Sequence, residues 1–119
     1  MSPRSPDDWR RVLAAPQSAV FLDEIAGDVS GAVWVHVYDT PPDPLMVPER
    51  RGYIDGLVVG SAHRRQGIGR RLMDAAAAWA SEQGAAQLVL TVWAGNAAAR
   101  AFYDRLGYGL LSEVLNKAL

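Results

Sequence analysis

The chain reads as an α/β domain with a mixed, largely antiparallel sheet flanked by helices. Three observations predict this. Two apolar runs, Ala19 to Ala26 and Val29 to Asp39, meet at Gly27-Asp28 as the arms of a β-hairpin. A strand pattern ending in Leu57-Val58-Val59 gives way to helical spacing from Leu72 to Gln83, and an apolar run from Gln87 to Trp93 follows. Strand, helix, strand in that order makes a right-handed crossover between parallel strands. A chain of 119 residues is read as one domain over residues 1–119, long enough to bury roughly two thirds of its unfolded surface.

Taken in order, Ser5-Pro6-Asp7-Asp8 resembles a helix start, with Trp9, Val12 and Leu13 at i, i+3, i+4 and Pro16 as the stop, so a short helix is predicted there. In the second hairpin arm Val29, Gly31, Val33, Val35 and Val37 share the face assigned to the core; Trp34, His36 and Tyr38 share the other. Thr40 to Arg51 carries four prolines without a period and reads as a surface loop. Gly52 to Val59 is the next strand, with Tyr53, Asp55, Leu57 and Val59 expected on one face and Gly56 marking a bulge or a close backbone approach. The helix that follows presents Ile68, Leu72, Met73, Ala76, Trp79 and Ala80 to the sheet and stops at Gly84. Gln87 to Trp93 is expected as a central strand covered on both faces. Asn96 caps a helix through Leu106 that ends at Gly107, and Gly109 to Leu119 is predicted as a last strand.

Composition excludes several classes of function. Without cysteine there are no disulfides, thiolate metal ligands or cysteine nucleophiles, which fits a reducing compartment. His36 and His63 stand at no ligand spacing, so no metal site is expected. A formal net charge of −1 gives no reason to expect nucleic acid or an anionic membrane as partner. No apolar run approaches the ~18 residues of a membrane span, and the first residues lack a signal-peptide core. The expectation is a soluble cytoplasmic protein.

The most informative stretch is Arg64-Arg65-Gln66-Gly67-Ile68-Gly69-Arg70-Arg71, at the junction of strand and helix. Glycines there allow close backbone approach, and a starting helix aims unpaired N–H groups and its positive dipole end outward. Arg70 and Arg71 in the first turn cost a few tenths to about 1 kcal/mol each unless an anion faces them. The dinucleotide and P-loop glycine fingerprints both fail, because no third glycine or lysine stands where they require it.

The run from Tyr53 to Val59 followed by Arg64 to Gly69 resembles the acetyl-CoA motif of the GNAT superfamily of N-acetyltransferases, whose signature is Arg/Gln-x-x-Gly-x-Gly/Ala. A second block, Asn96 to Tyr108, is similar to the family's Asn…Phe-Tyr…Leu-Gly-Phe segment. The resemblance implies the acyl-CoA N-acyltransferase fold, acetyl-CoA as cosubstrate, and direct attack by a primary amine of a small molecule or peptide. It assigns Leu57, Val58 and Val59 to the pantetheine arm. It assigns Arg64, Arg65, Gln66, Gly67, Ile68, Gly69 and Arg70 to the pyrophosphate, and Asn96 to a further cofactor contact. Tyr103 becomes the proton donor to the departing thiolate, and Asp55 stands where some members carry a glutamate proposed as base. Asp55 has a plainer reading as a salt-bridged strand residue, with Arg50 or Arg51 as partner. The family's first strand and helix are expected to be missing here, and exposed sheet edges make a homodimer the expected assembly. A non-catalytic acyl-CoA-binding module of the same fold is the alternative to an enzyme.

Overall fold

A computed structural model describes residues 9–15, 17–64 and 66–119. Five strands form one sheet in the order β1-β2-β3-β4-β5: β1 Trp9–Ala15, β2 Ser18–Ile25, β3 Asp28–Asp39, β4 Arg50–Val59 and β5 Gln87–Val89. The first four pair antiparallel, and β5 joins β4 in parallel. Helix α1, Ile68–Glu82, covers one face of the sheet, and the shorter α2, Ala97–Arg105, follows β5.

Trp9–Ala15 is a strand where the apolar spacing predicted a helix; Ser5 to Asp8 and Pro16 lie outside the described residues. Its register on β2 shifts between Arg11 and Leu13, so Val12 is an extra residue in the ladder. One inserted residue turns a two-residue alternation into a three-and-four spacing, which imitates a helix in the sequence. The β2–β3 turn falls at Ala26-Gly27, both at positive φ, one residue before the predicted place.

The core lies between α1 and the near face of β2 to β4. Val33, Val35 and Val37 of β3 are buried against Ile68, Leu72, Met73, Ala76, Trp79 and Ala80 of α1, as the alternation and the helical period required, whereas Val29, assigned to the same face, is exposed because the extra residue Ser30 inverts the alternation before it. Close approach depends on two glycines. A Cβ at Gly52 would stand 2.9 Å from both Ala80 Cβ and Leu88 Cδ1, and one at Gly31 would stand 2.8 Å from the Val58 carbonyl oxygen.

The first turn of α1 is fastened to the sheet by charge. Asp23 of β2 is fully buried; Arg71 donates to it from Nε at 3.3 Å and from a terminal nitrogen at 3.4 Å. Ser30 is the extra residue where the β2–β3 register shifts, and its hydroxyl donates 2.6 Å to Asp23 Oδ2 and 2.9 Å to the Asp23 carbonyl. A buried carboxylate needs this set of partners.

Two expectations fail at the far side of the sheet. β5 covers Gln87–Val89 only and its residues are half-buried, because among the described residues no strand lies on its outer edge to make it central. Gly109 to Leu119 forms no strand and is exposed. Leu110, Leu111, Val114 and Leu115 do not alternate along it, so pairing would bury no single apolar face. No helix is long and apolar enough to cross a membrane among the described residues.

Replacing Arg71 by Ala is expected to cost about 2–3 kcal/mol, somewhat below the ~3–5 of a fully enclosed pair because Arg71 is partly open to water. Urea unfolding of Arg71→Ala against Arg70→Ala checks this. Equal midpoints in the two variants would contradict a structural role for the Asp23 pair.

Candidate active site

The junction between β4 and α1 is a built cradle. Gly67 occupies the N-cap position of α1 at φ 75 and ψ 12, in the left-handed region, and no side chain caps the helix. No acidic residue occupies the first turn. The amides of Ile68, Gly69 and Arg70 therefore stand at a helix start whose positive end no side chain of its own offsets. Arg71 N–H bonds back to the Gly67 carbonyl at 3.0 Å, and an Arg71 guanidinium nitrogen donates to the Gln66 carbonyl at 3.1 Å, so the loop is held from the helix side.

A cavity of about 480 Å³ opens in front of this turn, lined among others by Leu57, Val59, Gly67 and Gly69 and ringed by Arg64, Arg70 and Arg105. Its far wall is α2. A Cβ on Gly69 would come 3.0 Å from the Phe102 ring, so this glycine serves the packing of α2 on α1.

β4 prepares the other half of the site. Its parallel pairing with β5 ends at Tyr53↔Val89, while its antiparallel pairing with β3 runs on to Val59. The two strands thus part after Tyr53, and the edge of β4 from Ile54 to Val59 leads without a β5 partner into the cradle. The β3–β4 register jumps from Trp34↔Gly56 to Val35↔Ile54, which makes Asp55 the extra residue of a bulge. Before the bulge the core face takes Gly52 and Ile54; after it, Leu57 and Val59. Tyr53 and Asp55 consequently do not share a face with Leu57 and Val59, against the simple alternation. Gly56 turns to the opposite face, where the Trp34 ring would lie 3.1 Å from an added Cβ.

The Acetyltransferase (GNAT) family profile matches residues 2–108 of the chain. Mycothiol acetyltransferase of Amycolatopsis mediterranei is 34% identical over 92 residues, 77% of this chain and 30% of that protein. A crystal structure of a mutant of the BH1408 protein from Bacillus halodurans superposes with a TM-score of 0.81 at 25% identity, over 88% of this chain and 68% of that one. Aminoglycoside N-acetyltransferase AAC(6')-Iy in complex with CoA shares the fold with a TM-score of 0.76 at 16% identity, over 88% and 78%. The chain belongs to the GNAT acetyltransferase family. It spans less than a third of the length of the curated relative named above.

The residues that the resemblance assigned in this GNAT chain are not all brought together. Leu57, Val59, Arg64, Gly67, Ile68, Gly69 and Arg70 come together at the cradle cavity. Gln66 is exposed beside it, Val58 points to the opposite face, and Arg65 lies outside the described residues. Asn96 caps α2, its Oδ1 accepting from Ala99 N–H at 3.1 Å, and lines neither this cavity nor the next. Tyr103 sits on the other side of α2 from Arg105. It borders a second cavity of about 1040 Å³ with Met73, Asp74, Thr91 and Tyr108.

Asp55 lies elsewhere again. The expected ion pair with Arg50 or Arg51 does not form: Arg50 binds Asp39 at 2.9 Å and Arg51 faces Glu49 at 3.6 Å. Asp55 Oδ2 is instead 2.7 Å from His36 Nδ1. Ordinary alternation puts Asp55 on the face of Tyr53, whose β3 partner is His36; the bulge turns the residues after it, Leu57 and Val59, to the other face. Arg105 was missed in the sequence, although its place three residues after Phe102 puts both on one side of a helix. No group of three or more metal-ligating side chains occurs among the described residues.

Tyr103 packs edge-on against Phe102 and Tyr108, with ring centroids 5.0 and 5.7 Å apart. Burial raises the pKa of Tyr103. Tyr108 is pushed up to about 12, first by burial and then by the charges of Tyr103 and Asp74. Both phenols therefore hold their protons in the fold at pH values where the unfolded chain has lost them. Their contribution to stability is complete below the ordinary tyrosine pKa of about 10 and falls away as pH rises from there toward about 12. Thermal unfolding between pH 9 and about 12 is expected to show this decline, and Tyr108→Phe to flatten it. An unchanged alkaline slope in Tyr108→Phe would contradict the assignment.

Proposed function

We propose that the chain transfers an acetyl group from acetyl-CoA to a primary amine of a small molecule or peptide, by direct attack without a covalent acyl-enzyme. One observation carries the reading: the edge of β4 beyond Tyr53, without a strand partner on its β5 side among the described residues, and the start of α1 border one cavity. An extended pantetheine arm can add to a strand edge as a further strand would, and a pyrophosphate suits the helix start beyond it. Family membership and the CoA complex of a structural neighbour support the same cosubstrate.

The residues fit the group. Ile68, Gly69 and Arg70 would present backbone N–H to the pyrophosphate, with Arg64, Arg70 and Arg105 supplying charge around it. Leu57 and Val59 give the cavity an apolar flank. The thioester supplies an activated acetyl carbon, and the protein's work is to align the amine with it and to manage protons. Tyr103, kept protonated by burial, is the donor to the leaving thiolate in this reading. Thr91, which borders the cavity of Tyr103, bonds to the Tyr53 hydroxyl at 2.6 Å, so that cavity reaches β4 where the strands part.

Titration calorimetry with acetyl-CoA, followed by an amine-panel assay of released CoA thiol, tests the proposal. Micromolar binding with turnover is expected. Arg70→Glu should weaken binding at least about tenfold, as loss of a charge-assisted contact implies, and Gly67→Ala should weaken it through strain at positive φ. Tyr103→Phe should lower kcat far more than affinity. Binding without turnover would instead favour an acyl-CoA-binding module, and no binding would defeat both readings.

A further inference from the structure

On the sheet face opposite α1, we infer that His36 is the proton acceptor for the incoming amine and that Asp55 is the residue that positions it. This rests on the acetyl-transfer reading and goes further by naming the base and the side of the sheet from which the acceptor comes. The observation is the 2.7 Å contact between His36 Nδ1 and Asp55 Oδ2. An ionised carboxylate only accepts hydrogen bonds, so in the neutral imidazole this contact favours the ring hydrogen on Nδ1 and leaves Nε2 with its lone pair. Within the described residues Nε2 has no hydrogen-bond partner. The two side chains retain 38% and 47% of their exposure, so the pair is open to a ligand.

The surroundings suit an ammonium compound. Tyr38 and Tyr53 flank the imidazole, with ring centroids 5.8 and 5.7 Å from it, and Trp34 lies two residues back along β3 on the same face, over Gly56. Aromatic faces beside the imidazole would attract an ammonium group that comes over them. The groups facing His36 are Asp55, Tyr53 and Arg51 from β4, Tyr38 from its own strand and Ser18 from β2. Arg51 is turned to Glu49, which leaves Asp55 as the charge joined to the ring. The bulge that makes Asp55 an extra residue also ends beside the point where β4 and β5 part, so the pair flanks the edge proposed for the thioester.

The step balances. The ammonium gives one proton to Nε2, and the freed lone pair forms the C–N bond to the acetyl carbon. The C–S bond breaks with its electron pair leaving on sulfur. The second nitrogen proton ends on that sulfur, and the imidazolium returns its proton to solvent. Asp55 stabilises the imidazolium and fixes the ring's orientation.

The test combines kinetics with a measurement that needs no acceptor. In wild type, nitrogen NMR of the two histidines should show His36 with hydrogen on Nδ1 at neutral pH, and Asp55→Asn should move it toward Nε2. With acetyl-CoA and a panel of benzylamine, tyramine, spermidine and a free peptide N-terminus, His36→Gln should lose at least about 100-fold in kcat, the usual lower range for a general base. Its acetyl-CoA affinity by calorimetry should stay within about twofold of wild type. The acid limb of the pH–rate profile should disappear, and added imidazole should restore part of the rate. Hydrogen on Nε2 in wild type, an unaltered pH profile in His36→Gln, or acetyl-CoA binding with no turnover of any amine would each overturn the inference. Failure of acetyl-CoA to bind wild type would defeat the acetyl-transfer reading instead, and the nitrogen shifts would still decide the pair. Should His36→Gln fail to fold, Asp55→Asn carries the same kinetic comparison.

Discussion

A carboxylate with no exposure to water fixes the geometry on which the site depends. Asp23 is acceptable inside the protein only because Arg71 and Ser30 reach it, and those two residues belong to the first turn of α1 and to a register shift in β3. The pair therefore determines where α1 begins relative to the sheet. Because Arg71 also holds the Gln66 carbonyl, the same side chain shapes the loop in which Gly67 turns the chain. Charge that was readable as anion-binding here serves architecture, which leaves Arg64, Arg70 and Arg105 to face the cavity.

The bulge at Asp55 is the second organising feature. One extra residue in β4 reverses the side-chain alternation after it. Leu57 and Val59 turn to the core face and flank the cradle, while Asp55 keeps the face of Tyr53 and meets His36 there. Gly56 is needed because Trp34 crosses it closely. The parting of β4 from β5 begins two residues before the bulge, so the free strand edge runs past Asp55 toward the helix start. None of these alone specifies chemistry, since helix starts and strand edges serve many ligands. Their contiguity is what supports acetyl transfer.

Much of this was legible residue by residue. The valine alternation from Val33 to Val37 and the helical spacing of α1 predicted their buried faces because both keep their period there; Val29, before the extra residue Ser30, was assigned to that face and is exposed. Asn96 was read as the cap of α2, and its carboxamide oxygen does accept from Ala99 N–H. The reading failed where periods are interrupted. Val12 inserted into β1 gave a strand the spacing of a helix, and Asp55 inserted into β4 moved two residues to the wrong face. It failed again at β5, which among the described residues has β4 alone as a neighbour and so is not central, and at Gly109 to Leu119, which forms no strand.

By itself the sequence determined the local pieces: the hairpin, the glycine turn before a helix, the two blocks that resemble the GNAT family, and the absence of cysteine chemistry. These depend on residue type and short spacing, which the chain carries wherever it folds. Only the tertiary structure decided which arginine is taken up by Asp23, which face Asp55 takes, that Arg105 joins the cradle from another helix, and that His36 is the partner of Asp55. Those outcomes turn on pairing register between strands and on contacts among residues far apart in sequence. A one-residue slip reverses them, and nothing in the local pattern records it.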